Sequence, residues 1–309
     1  MRRGLLLVLL AIVLILGGVA AFTSPPRLLS VLDWAWGGSR GAEKLANGVP
    51  FGAHGQTLDV WAPEERPDEP LPVVVFWHGG GWVKGDRAGY AFAGRALAGA
   101  GYVVVIPDYR KVPEVRFPAF IEDGAEAVRW TRDNIVRFGG DPDRIALAGH
   151  SAGAHTAILL TLDPRWLRAA TVDPGIVKAA VGLSGPYDFY PFDKKRSIDA
   201  MAAWPTPRDT QPIAFARADA PPILLATSDA DTVVRPRNAN NLAARLRELD
   251  APVTLKNYGE LSHEEVMMAF AKPFRGKGPV LRDTIAFLET VLGAEVARTG
   301  IRETPPTVP

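Results

Sequence analysis

Residues Gly149-His150-Ser151-Ala152-Gly153 set a serine between two glycines, with the apolar run Ile145 to Ala148 before it and alanine-rich sequence after it. A strand that turns at once into a helix has very little room at the crossing, so Gly149 and Gly153 supply positions where a side chain would obstruct the close passage. The serine oxygen is then lifted clear of the sheet at a helix N-terminus, where free amides and the helix dipole favour developing negative charge. A serine serving only as an ordinary helix cap is the alternative. The rest of the chain decides between them.

Repeated strand and helix patterns surround this turn. Thr57 to Trp61 alternates, Val73 to Trp77 and Tyr102 to Ile106 are continuous apolar runs, and Val177 to Leu183, Ile223 to Ala226 and Val253 to Tyr258 read as further strands. Between them Ala91 to Gly99, Ala119 to Phe138, Asn238 to Leu249 and Arg282 to Leu292 carry helical periods, the second stopped by Gly139-Gly140. Runs apolar on both faces, alternating with helices, specify a mostly parallel, doubly wound α/β sheet. The 309 residues, 47% of them apolar, suffice to bury the core of one such domain. Residues 51–295 are read as that domain, 23–50 as a tether with a first amphipathic segment, and 296–309 as a flexible tail. Trp34 and Trp36, in the tether, are expected to pack against the domain, with a place at a membrane interface as the alternative. Residues 186–221 interrupt the alternation with prolines and aromatics, as a modest lid, a pocket wall or an irregular loop with a small core of its own would.

Residues 1–22 are a targeting segment: Met1-Arg2-Arg3 is followed by an uncharged apolar run from Leu5 to Phe22. The run fits a cleaved signal peptide or an uncleaved membrane anchor, and either sends the domain out of the cytoplasm, to a periplasmic, secreted or outward-facing membrane-attached location. Thirty-five Lys and Arg against thirty-four Asp and Glu leave no global field to attract nucleic acid. Without cysteine, thiol catalysis and Cys-ligated zinc are excluded, no His, Asp or Glu cluster has metal-ligand spacing, and no cofactor is called for. Oligomeric state is not legible.

A serine needs a base held by an acid, and in an open α/β sheet both come from loops at the carboxyl ends of later strands. His263 follows the strand ending near Tyr258 and is the only histidine after the serine helix, so it is the expected base. Asp231 and Asp229 both follow the strand Ile223 to Ala226; Asp231 is preferred as the acid, in the order Ser, Asp, His. Gly79-Gly80-Gly81 at a strand end lets backbone amides approach a substrate carbonyl, making Gly80, Gly81 and Ala152 the expected oxyanion donors. Trp82, Tyr187 and Trp204 are candidate pocket walls, with core packing as the competing use.

These pieces, together with His78, Asp108-Tyr109-Arg110, Phe117-Pro118-Ala119, Glu122-Asp123 and Gly139-Gly140-Asp141-Pro142, span residues 57 to 290 in an order that resembles carboxylesterases of the α/β-hydrolase superfamily. The group in question is related to hormone-sensitive lipase and to bacterial exported feruloyl-esterase-like esterases. The resemblance implies that His78 shapes the glycine loop, that Asp108 to Pro118 buttresses the site, and that the substrate is a small-molecule ester. His150 before the serine and Ala154-His155 after it look more like feruloyl-esterase-like, formamidase-like and prenylcysteine-methylesterase-like members, with both histidines packing the elbow. Ser228 replaces a glycine usual before the acid loop, which keeps Asp229 in play. The expected function is serine carboxylesterase on small to medium acyl esters. An amidase or arylformamidase with the same triad is the first alternative, and a silent binding protein of the same fold is the second.

Overall fold

The structure, a computed structural model, describes residues 24–293. The targeting segment 1–22 and the tail 296–309 lie outside the described residues. Among those described, no helix is long and apolar enough to cross a membrane.

Eight strands form one sheet in the order β1-β2-β4-β3-β5-β6-β7-β8. β1 (Ala42–Phe51), β2 (Gln56–Pro63) and β4 (Val103–Pro107) pair antiparallel to one another in that order. β3 (Leu71–Trp77), β5 (Gly140–His150), β6 (Val177–Leu183), β7 (Ile223–Thr227) and β8 (Val253–Asn257) make the parallel remainder with β4. The apolar strands divide their side chains between two layers, as period-two geometry requires. Val74, Phe76, Val104, Ile106, Ala146 and Ala148 join one core, and Val73, Val75, Trp77, Val103, Val105, Ile145 and Leu147 join the other. Helices cover both faces: α1 (Pro25–Ala35), α2 (Ala91–Ala98), α3 (Ala119–Asn134), α4 (Ala152–Leu162), α5 (Pro164–Ala169), α6 (Lys195–Met201), α7 (Arg237–Glu248), α8 (His263–Met268) and α9 (Val280–Leu292). The sheet is therefore the doubly wound α/β-hydrolase arrangement that the pattern of strands and helices implies.

Two expectations for the N-terminal part need correction. The sheet begins at Ala42 rather than 51, because β1 pairs with β2 from Ala42↔Pro63 to Phe51↔Gln56. Its register shifts twice, and it holds Lys44, Asn47, Gly48 and Pro50, so it carries no clean alternation. The second correction is that Trp34 and Trp36 stay 64% and 60% exposed. α1 docks instead through Ser30 and Asp33, with Arg95 Nε donating to Asp33 Oδ2 at 2.7 Å and the Lys272 amide to Asp33 Oδ1 at 2.8 Å. Satisfying that buried carboxylate decides which face of the short helix turns inward.

Candidate active site

β5 carries the chain to the centre of the sheet and Ser151 reverses it. Ser151 sits at φ 55 and ψ −120, a positive-φ conformation that costs a non-glycine residue strain of the order of 1–3 kcal/mol. A Cβ on Gly149 would strike the backbone of Gly153, and one on Gly153 would strike the carbonyl of Trp77. The glycines are thus required by close backbone passage, as the spacing predicts. All eleven residues of α4 are buried, so the helix that receives the serine is embedded in the protein.

The three residues expected to cooperate meet here. Ser151 Oγ lies 2.9 Å from His263 Nε2, and His263 Nδ1 lies 2.8 Å from Asp231 Oδ2. Donation from Nδ1 to the carboxylate leaves Nε2 free to accept the serine proton, so the bonds select the tautomer of the imidazole. Asp231 Oδ1 in turn accepts the amides of Val233 and Val234 at 2.9 and 2.8 Å. Asp229 is exposed and takes the Asn257 amide at 2.9 Å, away from the imidazole. Ser228, where a glycine was expected, is buried and donates to the Gly259 carbonyl at 2.7 Å, which ties the acid loop to the loop before α8. His263 begins α8, whose cap is a reciprocal box between Ser262 and Glu265. That cap satisfies helix-end groups and fixes the position from which the imidazole projects.

His150 and His155 take different surroundings. His150 Nε2 faces the His263 carbonyl at 3.2 Å and Nδ1 faces the Tyr90 hydroxyl at 2.8 Å. A neutral ring donating from Nε2 and accepting at Nδ1 fits both. Burial first, and the nearby His263 ring second, push the His150 pKa well below its ordinary value, keeping it uncharged beneath the base. His155 donates through Nε2 to the Thr210 carbonyl at 2.7 Å, and burial lowers its pKa to about 4.

The glycine loop after β3 turns through Gly80 at φ 132 and Gly81 at φ 61, conformations favouring glycine. His78 Nδ1 donates to the Gly79 carbonyl at 2.8 Å, and Tyr109 stacks on the His78 ring with centroids 4.4 Å apart. Arg110, next to Tyr109, is fastened to the buried Asp123 at 2.7 Å. Thus the Asp108 to Pro118 segment braces the loop. Gly81, Ser151 and Ala152 line one solvent-open cleft. As the first residue of α4, Ala152 has an amide with no intrahelical acceptor.

Of the expected pocket walls, only Trp82 lines this cleft, stacked against Phe189 at 6.0 Å. Tyr187 is fully buried beneath Gly182 and Gly185, which leave room for its ring, so it belongs to the core. Trp204 packs edge-on against Phe117 at 5.1 Å and also lies away from the cleft. The insertion divides its work: Pro186, Phe189, Asp193, Lys194, Arg196 and Ser197 reach the cleft, while Tyr187, Ala200 and Met201 are core. Asn238 holds it in place by accepting the amides of Tyr187 and Asp188, both at 3.0 Å. Sequence reasoning missed Phe189 as a wall and Asn238 as a fastener; only an aromatic-rich insertion pointed toward the first. No group of three or more His, Cys, Asp or Glu that could hold a metal is present among the described residues.

A mostly parallel sheet wrapped on both faces, with a strained serine at a strand-to-helix elbow, defines the α/β-hydrolase class. Comparison with known proteins narrows this class. The BD-FAE family model matches residues 58–246, more than half of the chain, and the chain belongs to that family. It is similar to the esterase LipC of Mycobacterium tuberculosis, 37% identical over 213 residues that cover 62% of this chain and 52% of that protein. It is also similar to the probable carboxylic ester hydrolase LipM of the same organism, 31% identical over 75% of this chain and 57% of LipM. The chain spans about half the length of these curated relatives. Among solved structures, a hyperthermophilic esterase from the archaeon Pyrobaculum calidifontis superposes with a TM-score of 0.68 at 24% identity, over 87% of this chain and 92% of that one. At that identity the likeness speaks for the fold.

Proposed function

We propose that this protein is a carboxylic ester hydrolase that cleaves small to medium acyl esters through a covalent intermediate on Ser151. The observation carrying this reading is the continuous hydrogen-bonded chain Ser151–His263–Asp231, at 2.9 and 2.8 Å, opening onto the cleft. Relatives bearing the names esterase and carboxylic ester hydrolase support it.

The geometry supports the following reaction. His263 Nε2 takes the Ser151 proton as Oγ attacks the ester carbonyl, and Asp231 stabilises the imidazolium that forms. The carbonyl oxygen, now anionic, is received by the amides of Ala152, Gly81 and Gly80, where one such donor is worth about 3 kcal/mol of transition-state stabilisation. Collapse expels the alcohol, protonated by His263, and leaves the acyl group on Ser151. Water, deprotonated by the same imidazole, then releases the acid and restores the serine. The stacked rings of Trp82 and Phe189 offer an apolar wall for a modest acyl group. The positive start and the apolar run from Leu5 to Phe22 support work outside the cytoplasm.

Hydrolysis of 4-nitrophenyl esters from acetate to palmitate, beside Ser151→Ala and the matching 4-nitroanilides, tests this reading. Short esters should be cleaved faster than both long esters and anilides, and Ser151→Ala should lower the rate by about 10⁶-fold. A folded wild-type protein no faster than the variant on every ester would overturn it.

A further inference from the structure

We propose that the preferred esters carry a carboxylate, held at the cleft mouth by Arg196, Arg235 and Arg237; this rests on the ester-hydrolase reading. The cleft that contains Ser151 is lined by Lys194, Arg196, Arg235 and Arg237 against a single acid, Asp193. That excess of three positive charges stands in a chain whose formal net charge is only +1.

These cations differ from the twelve of the twenty-two described arginines that pair with a carboxylate. Arg27, Arg87, Arg110, Arg144, Arg165 and Arg217 each reach a carboxylate within 3.0 Å. None of the four at the mouth has an ion-pair partner among the described residues, and all four are exposed. Lys195, next to them on α6, is turned aside into a pair with Asp199 at 2.7 Å. Charges left without internal partners around a catalytic cleft attract an external anion and raise its local concentration.

Their placement ties them to the reacting atoms from two sides. Arg235 lies on the loop that holds the acid and Arg237 begins α7, a few residues beyond the Val233 and Val234 amides that grip Asp231. Arg196 comes from the insertion and lies over the glycine loop: a Cβ on Gly81 would stand 2.6 Å from Arg196 Cδ and 3.1 Å from Nη1. A guanidinium is a planar fork of donors that matches a carboxylate in two parallel hydrogen bonds. An ester carrying its carboxylate a few bonds from the scissile carbonyl can therefore reach these arginines while the carbonyl faces Ser151.

Two matched substrate pairs provide the test. The first is 4-nitrophenyl hexanoate against the mono-4-nitrophenyl ester of adipic acid, with the charge on the acyl side. The second is phenyl butyrate against 4-carboxyphenyl butyrate, with the charge on the alcohol side. At low ionic strength the charged member of at least one pair should lead in kcat/KM by about tenfold, mainly through a lower KM. The lead should shrink in about 0.5 M salt, where screening shortens to a few Å. R196Q, R235Q and R237Q combined should bring the ratio towards one, whereas K195Q should leave it in place. Charged members cleaved no faster than neutral ones in both pairs, or a lead undiminished in the triple variant, would overturn the proposal. Failure of the ester-hydrolase reading would be distinct: the wild type would then cleave none of the four.

Discussion

The triad cradle and the cleft mouth use polar residues in opposite ways. Ser151, Asp231 and His263 are 8%, 2% and 6% exposed, and their reactive atoms are joined into one hydrogen-bonded chain continued by the Val233 and Val234 amides. At the mouth, Arg196, Arg235 and Arg237 are exposed and have no ion-pair partner among the described residues. A buried polar group must be satisfied within the fold or it costs stability, so the cradle is fixed before any substrate arrives. An exposed cation is satisfied by water and can exchange that water for a ligand. On the proposed reading, the reaction is set by the cradle and the choice of substrate is left to the mouth.

The strongest way to break the contrast is to disturb the cradle without changing its shape. Asp231→Asn preserves the volume but removes the charge and permits the wrong imidazole tautomer; kcat should fall by about 10⁴-fold. Steady-state kinetics on a short neutral ester would measure it, and a fall below tenfold would detach Asp231 from the reaction.

A smaller effect sharpens the same comparison through stability. His155 is buried, with its pKa lowered from 6.5 to about 4. Above pH 6.5 the ring is neutral in both the folded and the unfolded chain. As the pH falls through that value the unfolded chain takes up a proton that the native one refuses until about pH 4, so stability is lost across this window. At about 1.4 kcal/mol per unit the loss approaches 3 kcal/mol. Urea unfolding between pH 7 and 4 should show this slope, with a shallower one in His155→Gln. Equal slopes would show that the site does not exclude the proton. The smallest effect belongs to Asp229→Asn, whose side chain bonds only to Asn257 at 2.9 Å; kcat/KM should change by less than about twofold, as for a surface substitution.

The cradle was legible in the sequence because its geometry imposes residue types. Close backbone passage demands Gly149 and Gly153, and the order of β7, β8 and their loops puts Asp231 and His263 near the serine. β6 matches its apolar run from Val177 to Leu183 residue for residue. Legibility failed where long-range partners decide. Asp33 pulls the polar face of α1 inward because Arg95 waits 62 residues away, leaving Trp34 and Trp36 outside. β1 escaped notice since an edge strand needs only one partner and tolerates glycine, proline and bulges. Trp82, after the glycine loop, and Tyr187 and Trp204, in the insertion, are equally apolar in sequence. Only the room beneath Gly182 and the Phe117 face separate the two core rings from the wall.

The most direct test of the account is covalent trapping. The native protein, treated with a fluorophosphonate and digested, should yield one modified peptide, with the adduct on Ser151 by tandem mass spectrometry. His263→Ala should label far more slowly, and Ser151→Ala should not label there at all. A wild type that remains folded and unlabelled, or an adduct that persists on another residue in Ser151→Ala, would contradict the claim that the elbow serine is the nucleophile.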